Sequence, residues 1–339
     1  MRAVVCDRLG DPSVLKIEER PIPELGPADV LIKVGAASVN FPDVLMLSAG
    51  YQHKPELPFI PGMEGAGTIT AVGAEVKSWK PGDKVIFGVR PGAMAEYVRV
   101  PASGNQAFGR ASAQSALMGM PKDWSWAEGA AFRVGASTAY HSLVHRAGLK
   151  KREVLLVHGA SGGVGMAAVQ LGKHLGAQVI ATGSDDERLA VVREQGADLV
   201  VNLRTSDFVA VVKGMTDGHG ADVIYDPVGG EVLEKSLRAA AYGARLLVVG
   251  FTSGGPTKIM SNHVLIKGLS ILGVRAGESA RRGAPDLARD YVEELPRLAA
   301  LGVMRPHISH RFPMERAADA FRALIERKVI GKAVIEIAP

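Results

Sequence analysis

The chain has 339 residues, more than one hydrophobic core ordinarily holds, which points to two domains. Hydrophobic residues make up 47% and charged residues 22%, a globular composition that excludes a disordered or fibrous chain. The net charge of +5 is spread over interspersed basic and acidic side chains, which suits an anionic small ligand and speaks against a nucleic-acid partner.

The chain opens MRAVVCDRLGD, where Arg2, Asp7 and Arg8 flank a short apolar run; this is no signal peptide. No apolar stretch approaches the ~18–20 residues of a membrane-spanning helix. Cys6 is the single cysteine, so no internal disulfide and no cysteine-based zinc cluster is expected, and the setting is read as cytoplasmic. Short β-rich runs follow at Val30–Val34, Gly67–Val72, Lys84–Phe87 and Ala95–Val100, punctuated by Pro21, Pro23, Pro27, Pro58, Pro61, Pro81 and Pro101. They predict a small all-β unit. Ser103–Met120, which is small, polar and glycine-punctuated, reads as a long loop.

The pattern changes near Trp124. Helical periodicity over Ala127–Ala131 and Ala136–Val144 leads into six buried-type strands. These are Val154–His158, Gln178–Thr182, Leu199–Asn202, Val223–Tyr225, Arg245–Val249 and Ser270–Val274. Helical patterns such as Gly163–Leu175 and Asp186–Gln195 lie between them. The alternation predicts a parallel sheet covered on both faces, an α/β fold. A helix around Asp286–Leu301, a strand near His307–Phe312, a helix over Met314–Arg327 and a strand Ala333–Ile337 complete the pattern.

Within Val154–Gly165 a strand runs straight into Gly159-Ala160-Ser161-Gly162-Gly163-Val164-Gly165, and a helix starts at once. Such a turn removes side chains where backbone N–H groups must approach a pyrophosphate, and the helix N-terminus adds partial positive charge. Strand, turn, helix and second strand in register make a dinucleotide site. No Gly-Lys-Ser/Thr follows, which excludes a P-loop.

The tip of the second strand chooses between dinucleotides. It reads Gly183-Ser184-Asp185-Asp186-Glu187-Arg188. Small donors with Arg188 suit the 2′-phosphate of NADP. Asp185 supports the rival reading, a carboxylate on the ribose of NAD. Ligands sit outside the carboxyl ends of parallel strands, which adds Asn202, Val228, Gly250, Phe251 and Gly273 to the expected groove. His141 and His145 have a metal-binding spacing, but no Glu-x-x-His context or third ligand accompanies them.

Further motifs are Ala36–Asp43 (AASVNFPD), Pro61–Gly67 (PGMEGAG), Val72-Gly73, Pro81–Val85 (PGDKV), Thr138–His141 (TAYH), Asp226–Gly230 (DPVGG) and Gly331-Lys332. With these, the whole chain resembles the zinc-free branch of the medium-chain dehydrogenases/reductases, in the NADPH:quinone oxidoreductase (zeta-crystallin-like) group. The stretch 103–120 is the main departure. The resemblance implies a GroES-like β domain from residues 1–124 and 276–339, clasping NADPH and substrate against a Rossmann domain of residues 125–275. The Rossmann sheet is expected to be doubly wound, parallel and six-stranded.

Zinc-containing relatives place a Cys at or near Asn40 and a His before Glu64. Here the residues are Asn40 and Met63, and amide and thioether are poor zinc ligands, so no metal is expected. What remains is hydride transfer from NADPH to a quinone or to the activated C=C bond of an enone. Reduction of 2-alkenoyl thioesters or halogenated acrylates is the alternative. From another class, the chain would be an NADPH-binding structural or nucleic-acid-binding protein without turnover. By resemblance, Asn40 and Thr138 lie beside the nicotinamide, and Tyr51 lines the substrate site as proton donor, with a surface-loop tyrosine as the competing reading. Lys332 follows a family cofactor contact, against the alternative of a solvated lysine. Ser270–Val274 is expected at a sheet edge, and the resemblance, whose members pair that strand across a two-fold axis, implies a homodimer.

Overall fold

The computed structural model describes residues 1–102, 117–282 and 293–337. The loop expected over 103–120 therefore lies outside the described residues as far as 116, and the helix expected over 286–301 as far as 292. The chain divides into two units, Met1–Val134 with Gly277–Pro339, and Gly135–Ala276.

In the first unit β1 (Arg2–Cys6) and β2 (Leu15–Glu19) form an antiparallel pair. The main sheet draws on β3 (Asp29–Val39), β4 (Glu64–Val72), β5 (Lys84–Gly88), β6 (Tyr97–Pro101) and β7 (Leu117–Gly119). The later strands β14 (Ile308–Pro313) and β15 (Lys332–Glu336) complete it, in the order β14-β15-β3-β4-β5-β7, with β6 also on β3. β3 explains the sheet's character. Its first half buries alternate residues (Val30, Ile32, Val34), the pattern of a sheet with one solvated face, whereas Gly35–Val39 is buried throughout. The core beneath joins Val4, Ile32, Ile69, Phe87, Phe321 and Ile335. After β3, helix α1 (Phe41–Leu47) begins at Asn40, whose backbone N–H donates to Asp43 Oδ2 at 2.8 Å.

A helix α2 (Trp126–Tyr140) leads toward the second unit, where two separate helices were expected, and a π turn over His141–Arg146 continues it. Gly135 does not interrupt the helix: a Cβ there would meet Gly163 O at 3.3 Å, so the glycine serves close approach. Then β8 (Val154–Val157), α3 (Gly163–His174), β9 (Gln178–Gly183), α4 (Asp186–Glu194), β10 (Leu199–Asn202), α5 (Phe208–Met215) and β11 (Ala221–Asp226) alternate. α6 (Gly230–Ala239), β12 (Ala240–Val248), α7 (Ser261–Lys267) and β13 (Ser270–Gly273) follow. All ladders are parallel, in the order β10-β9-β8-β11-β12-β13. This is a doubly wound Rossmann sheet, with its order reversing between β8 and β11. Among the described residues no helix is long and apolar enough to cross a membrane.

Candidate functional site

The glycine turn follows from local sterics. Buried β8 ends at Val157, and Gly159 turns the chain at φ +55, a left-handed value that glycine adopts without strain. Gly162, in extended conformation, precedes α3, which starts at Gly163 with no acidic side chain in its first turn. A Cβ on Gly165 would lie 2.4 Å from Gly159 O, so only glycine lets the helix start pack on the turn. Ala160 N–H donates to Thr182 O at 3.1 Å and ties the turn to β9. Ser161, Gly162, Gly163 and Val164 are half-buried, at the end of the sheet where its order reverses. First-turn amides and the helix dipole there favour an anion.

At the β9 tip, Gly183 pairs in register with Asn202. Ser184 is exposed and Arg188 half-buried. Both aspartates are engaged locally. Asp185 caps α4, its Oδ1 accepting from Arg188 N at 3.0 Å, and Asp186 Oδ1 accepts from Asn202 Nδ2 at 2.8 Å. Asn202 Oδ1 in turn accepts from Arg204 N at 2.9 Å.

Across the switch point, buried Asp226 holds the β11–α6 turn. Its Oδ1 accepts from Val228 N at 2.8 Å and Gly229 N at 3.1 Å, while burial pushes its carboxyl pKa up. Gly250 sits near Pro227, where a Cβ would meet Pro227 O at 3.2 Å. Phe251 is exposed beside Gly229, and Gly273 ends β13. Asn202, Val228, Gly250, Phe251 and Gly273 thus all fall at or just beyond strand carboxyl ends.

The first unit holds a second polar cluster. Glu64, wholly buried at the start of β4, accepts from Asn40 Nδ2 (3.0 Å), Lys332 Nζ (2.8 Å) and Val134 N (2.7 Å). Lys332 Nζ also donates to Asn40 Oδ1 at 2.6 Å. Lys332 is 6% exposed, which corrects the reading of a solvated lysine. Asp43 accepts from Asn40 N and Gly62 N and is wholly buried; burial pushes its pKa up to about 7, against the pull of those amides and of Lys332. Tyr51, half-buried, packs against the apolar core of this unit. Thr138 belongs to the other unit, where its carbonyl accepts from Ser142 Oγ at 2.6 Å. The structure therefore joins Asn40 to Lys332 directly.

Zinc does not fit this donor set. The Lys332 ammonium already occupies the oxygens of Asn40 and Glu64, and Met63 adds only a thioether. Among the described residues no group of three or more His, Cys, Asp or Glu could hold a metal ion. His141 and His145 lie on the π turn with ring centroids 5.9 Å apart.

Sequence reasoning missed Asp43, whose spacing from Asn40 is that of a capping box, and the Lys332–Glu64 pair, which has no local signal. It also passed over His158, read only as the last residue of a strand.

Two family models match: residues 26–107 match the alcohol dehydrogenase GroES-like domain, and residues 163–293 match a zinc-binding dehydrogenase family. The quinone oxidoreductase-like protein 2 homolog of Nematostella vectensis is 36% identical over 338 residues, covering 98% of this chain and 88% of that protein. A solved NAD-dependent alcohol dehydrogenase is 31% identical with TM-score 0.89, covering 100% of both chains. The solved Escherichia coli quinone oxidoreductase complexed with NADPH is 26% identical with TM-score 0.86, covering 99% of this chain and 100% of that one.

Proposed function

Because the chain belongs to the quinone oxidoreductase (zeta-crystallin-like) group of the medium-chain dehydrogenases/reductases, we propose that it is an NADPH-dependent reductase of quinones or enones that works without metal. The observation that carries the cofactor reading is the β9 tip, where Asp185 is committed to capping α4 and Asp186 to Asn202. Each carboxylate has one oxygen held locally, and Ser184 and Arg188 suit a 2′-phosphate. The NADPH complex of the E. coli relative supports this reading, while the NAD-dependent alcohol dehydrogenase keeps NADH as its rival.

The glycine turn Gly159–Gly165 and the start of α3 bind the pyrophosphate, and Gly183, Ser184 and Arg188 the adenosine end. Asn202, Val228, Gly250, Phe251, Gly273 and Lys332 line the rest of the cofactor site. Bound NADPH supplies a hydride to an electron-poor carbon of the acceptor. Asn40 and Thr138 hold the nicotinamide's face, and the Tyr51 phenol gives a proton to the developing enolate or hydroquinone oxygen. The ammonium of Lys332 holds the side-chain oxygens of Asn40 and Glu64.

The experiment is NADPH oxidation by the purified protein against quinones, enones and 2-alkenoyl thioesters, with and without chelator. Turnover of a quinone or enone that survives chelation, with no stoichiometric zinc in elemental analysis, is the expected result. Turnover confined to thioesters would move the substrate class, and one tightly bound zinc per chain would overturn the metal-free reading.

A further inference from the structure

His158 directly follows β8 and precedes the glycine turn, and its side chain is wholly buried. Its Nε2 lies 2.7 Å from Ser236 Oγ on α6, and its Nδ1 lies 2.8 Å from Thr182 Oγ1 on β9. The Ser236 hydroxyl donates its one hydrogen to Val232 O at 2.7 Å, so it accepts from His158, and the proton sits on Nε2. Nδ1 of the neutral ring then accepts from the Thr182 hydroxyl. Burial keeps the ring neutral by pushing its pKa down to about 3. Phe208, which opens α5, meets the imidazole edge-on at 5.1 Å and fixes its plane. One ring is thus located by β9, α6 and α5 together.

Both residues lead into the proposed cofactor site: His158 is followed by Gly159, and Thr182 by Gly183-Ser184. We propose that His158 is a positioning residue of the dinucleotide site, holding the β9 tip in register with the glycine turn through the Thr182 hydroxyl. The inference rests on the reading that this site binds NADPH.

The backbone bond from Ala160 N to Thr182 O does not depend on the hydroxyl, so the pyrophosphate turn keeps one of its ties when the hydroxyl is removed. The tip that carries Ser184 keeps its backbone pairing to β10 and loses its side-chain tie to His158. Thr182→Val should therefore weaken NADPH about three- to tenfold and NADH by roughly twofold or less, the loss of one buried hydrogen bond. Thr182→Ser should restore the parent values.

Fluorescence titration of both cofactors against the parent, Thr182→Val and Thr182→Ser tests this. Equal weakening of NADPH and NADH, or no change in either, overturns the proposal, because a merely structural role leaves their ratio untouched. A parent that binds neither dinucleotide overturns the functional reading itself, a distinct outcome. Should Thr182→Val not fold, imidazole 15N shifts of the parent decide: the neutral Nε2–H tautomer is required, and an Nδ1–H tautomer or an imidazolium at neutral pH overturns the proposal.

Discussion

Lys332 Nζ lies 2.6 Å from Asn40 Oδ1, a contact between residues 292 positions apart. An ammonium only donates and a carboxylate only accepts, so Lys332 and Glu64 together give the Asn40 amide a single orientation. Its oxygen faces Lys332 and its nitrogen faces Glu64.

Removing one member of this cluster leaves a buried charge without its counter-ion. Lys332→Met should lower unfolding free energy by about 3–5 kcal/mol, measured by urea unfolding. The double variant with Glu64→Gln should recover part of the loss. A Lys332→Met protein as stable as the parent would contradict the ion pair.

Stability should peak near pH 6.5. The folded pKa of Asp43, about 7, lies above its ordinary 3.8, so its contribution is present below that ordinary value and is lost as pH rises through 7. His158 and His141 shift the other way. Burial takes them from 6.5 to about 3 and about 4, so stability falls as pH drops below 6.5 and the unfolded chain takes up their protons. Between pH 4 and 6.5 the two histidines make stability fall toward acid, opposed by the raised carboxyls of Asp43 and Asp226. Asp43→Asn should flatten the alkaline decline between pH 6 and 8. An unchanged slope in that variant would count against the raised carboxyl.

The glycines of the turn are not equivalent. Gly165→Ala puts a Cβ 2.4 Å from Gly159 O and 2.9 Å from Ala160 Cα, both backbone, and should cost about 1–3 kcal/mol. At Gly162 the nearest contact for a Cβ is 3.5 Å, so Gly162→Ala should keep the parent's melting temperature. Calorimetry of the two variants should rank them in that order.

Cofactor choice separates on Arg188. Arg188→Ala should weaken NADPH by about ten- to a hundredfold, the worth of a charge-assisted phosphate contact, and leave NADH nearly unchanged. Ser184→Asp should push preference further toward NADH. Tighter NADH than NADPH in the parent would remove the 2′-phosphate site altogether.

The outer strand of the parallel sheet should be covered by a second copy. Among the described residues β13 pairs only with β12, and Tyr242, Leu265 and Ile266 are 83%, 83% and 70% exposed on the same unit. Light scattering at micromolar concentration should give a dimer mass. A monomer would leave that edge unexplained.

The parallel sheet was legible because strands buried on both faces read as continuous apolar runs, and Val154–Val157 is wholly buried. β12 was underestimated at its start, since Ala240-Ala241-Tyr242-Gly243 carries little β preference and is a strand through its neighbours. The pair β1 and β2 and the seven-residue α1 were absent from the reading; the helix is too short for periodicity and is fixed by Asn40 and Asp43 at its start. Of the site, the glycine turn carries a local signature. The Lys332–Glu64 pair and the His158 network come from chain segments that meet only in the folded state, so no spacing rule reaches them.

β15 lies between β14 and β3, so the seven-stranded sheet receives its interior strand only when residues 332–336 have left the ribosome. Glu64 and Lys332 are 268 positions apart, a wait of roughly 13–54 s at about 5–20 residues per second. The unit Gly135–Ala276 is continuous and is fully synthesised within that interval. Until then the Ala36–Val39 stretch of β3 lacks its β15 partner and the Glu64 carboxylate has no counter-ion. A nascent chain stalled before residue 332 is thus an open sheet beside a complete Rossmann unit, the species on which a chaperone would act.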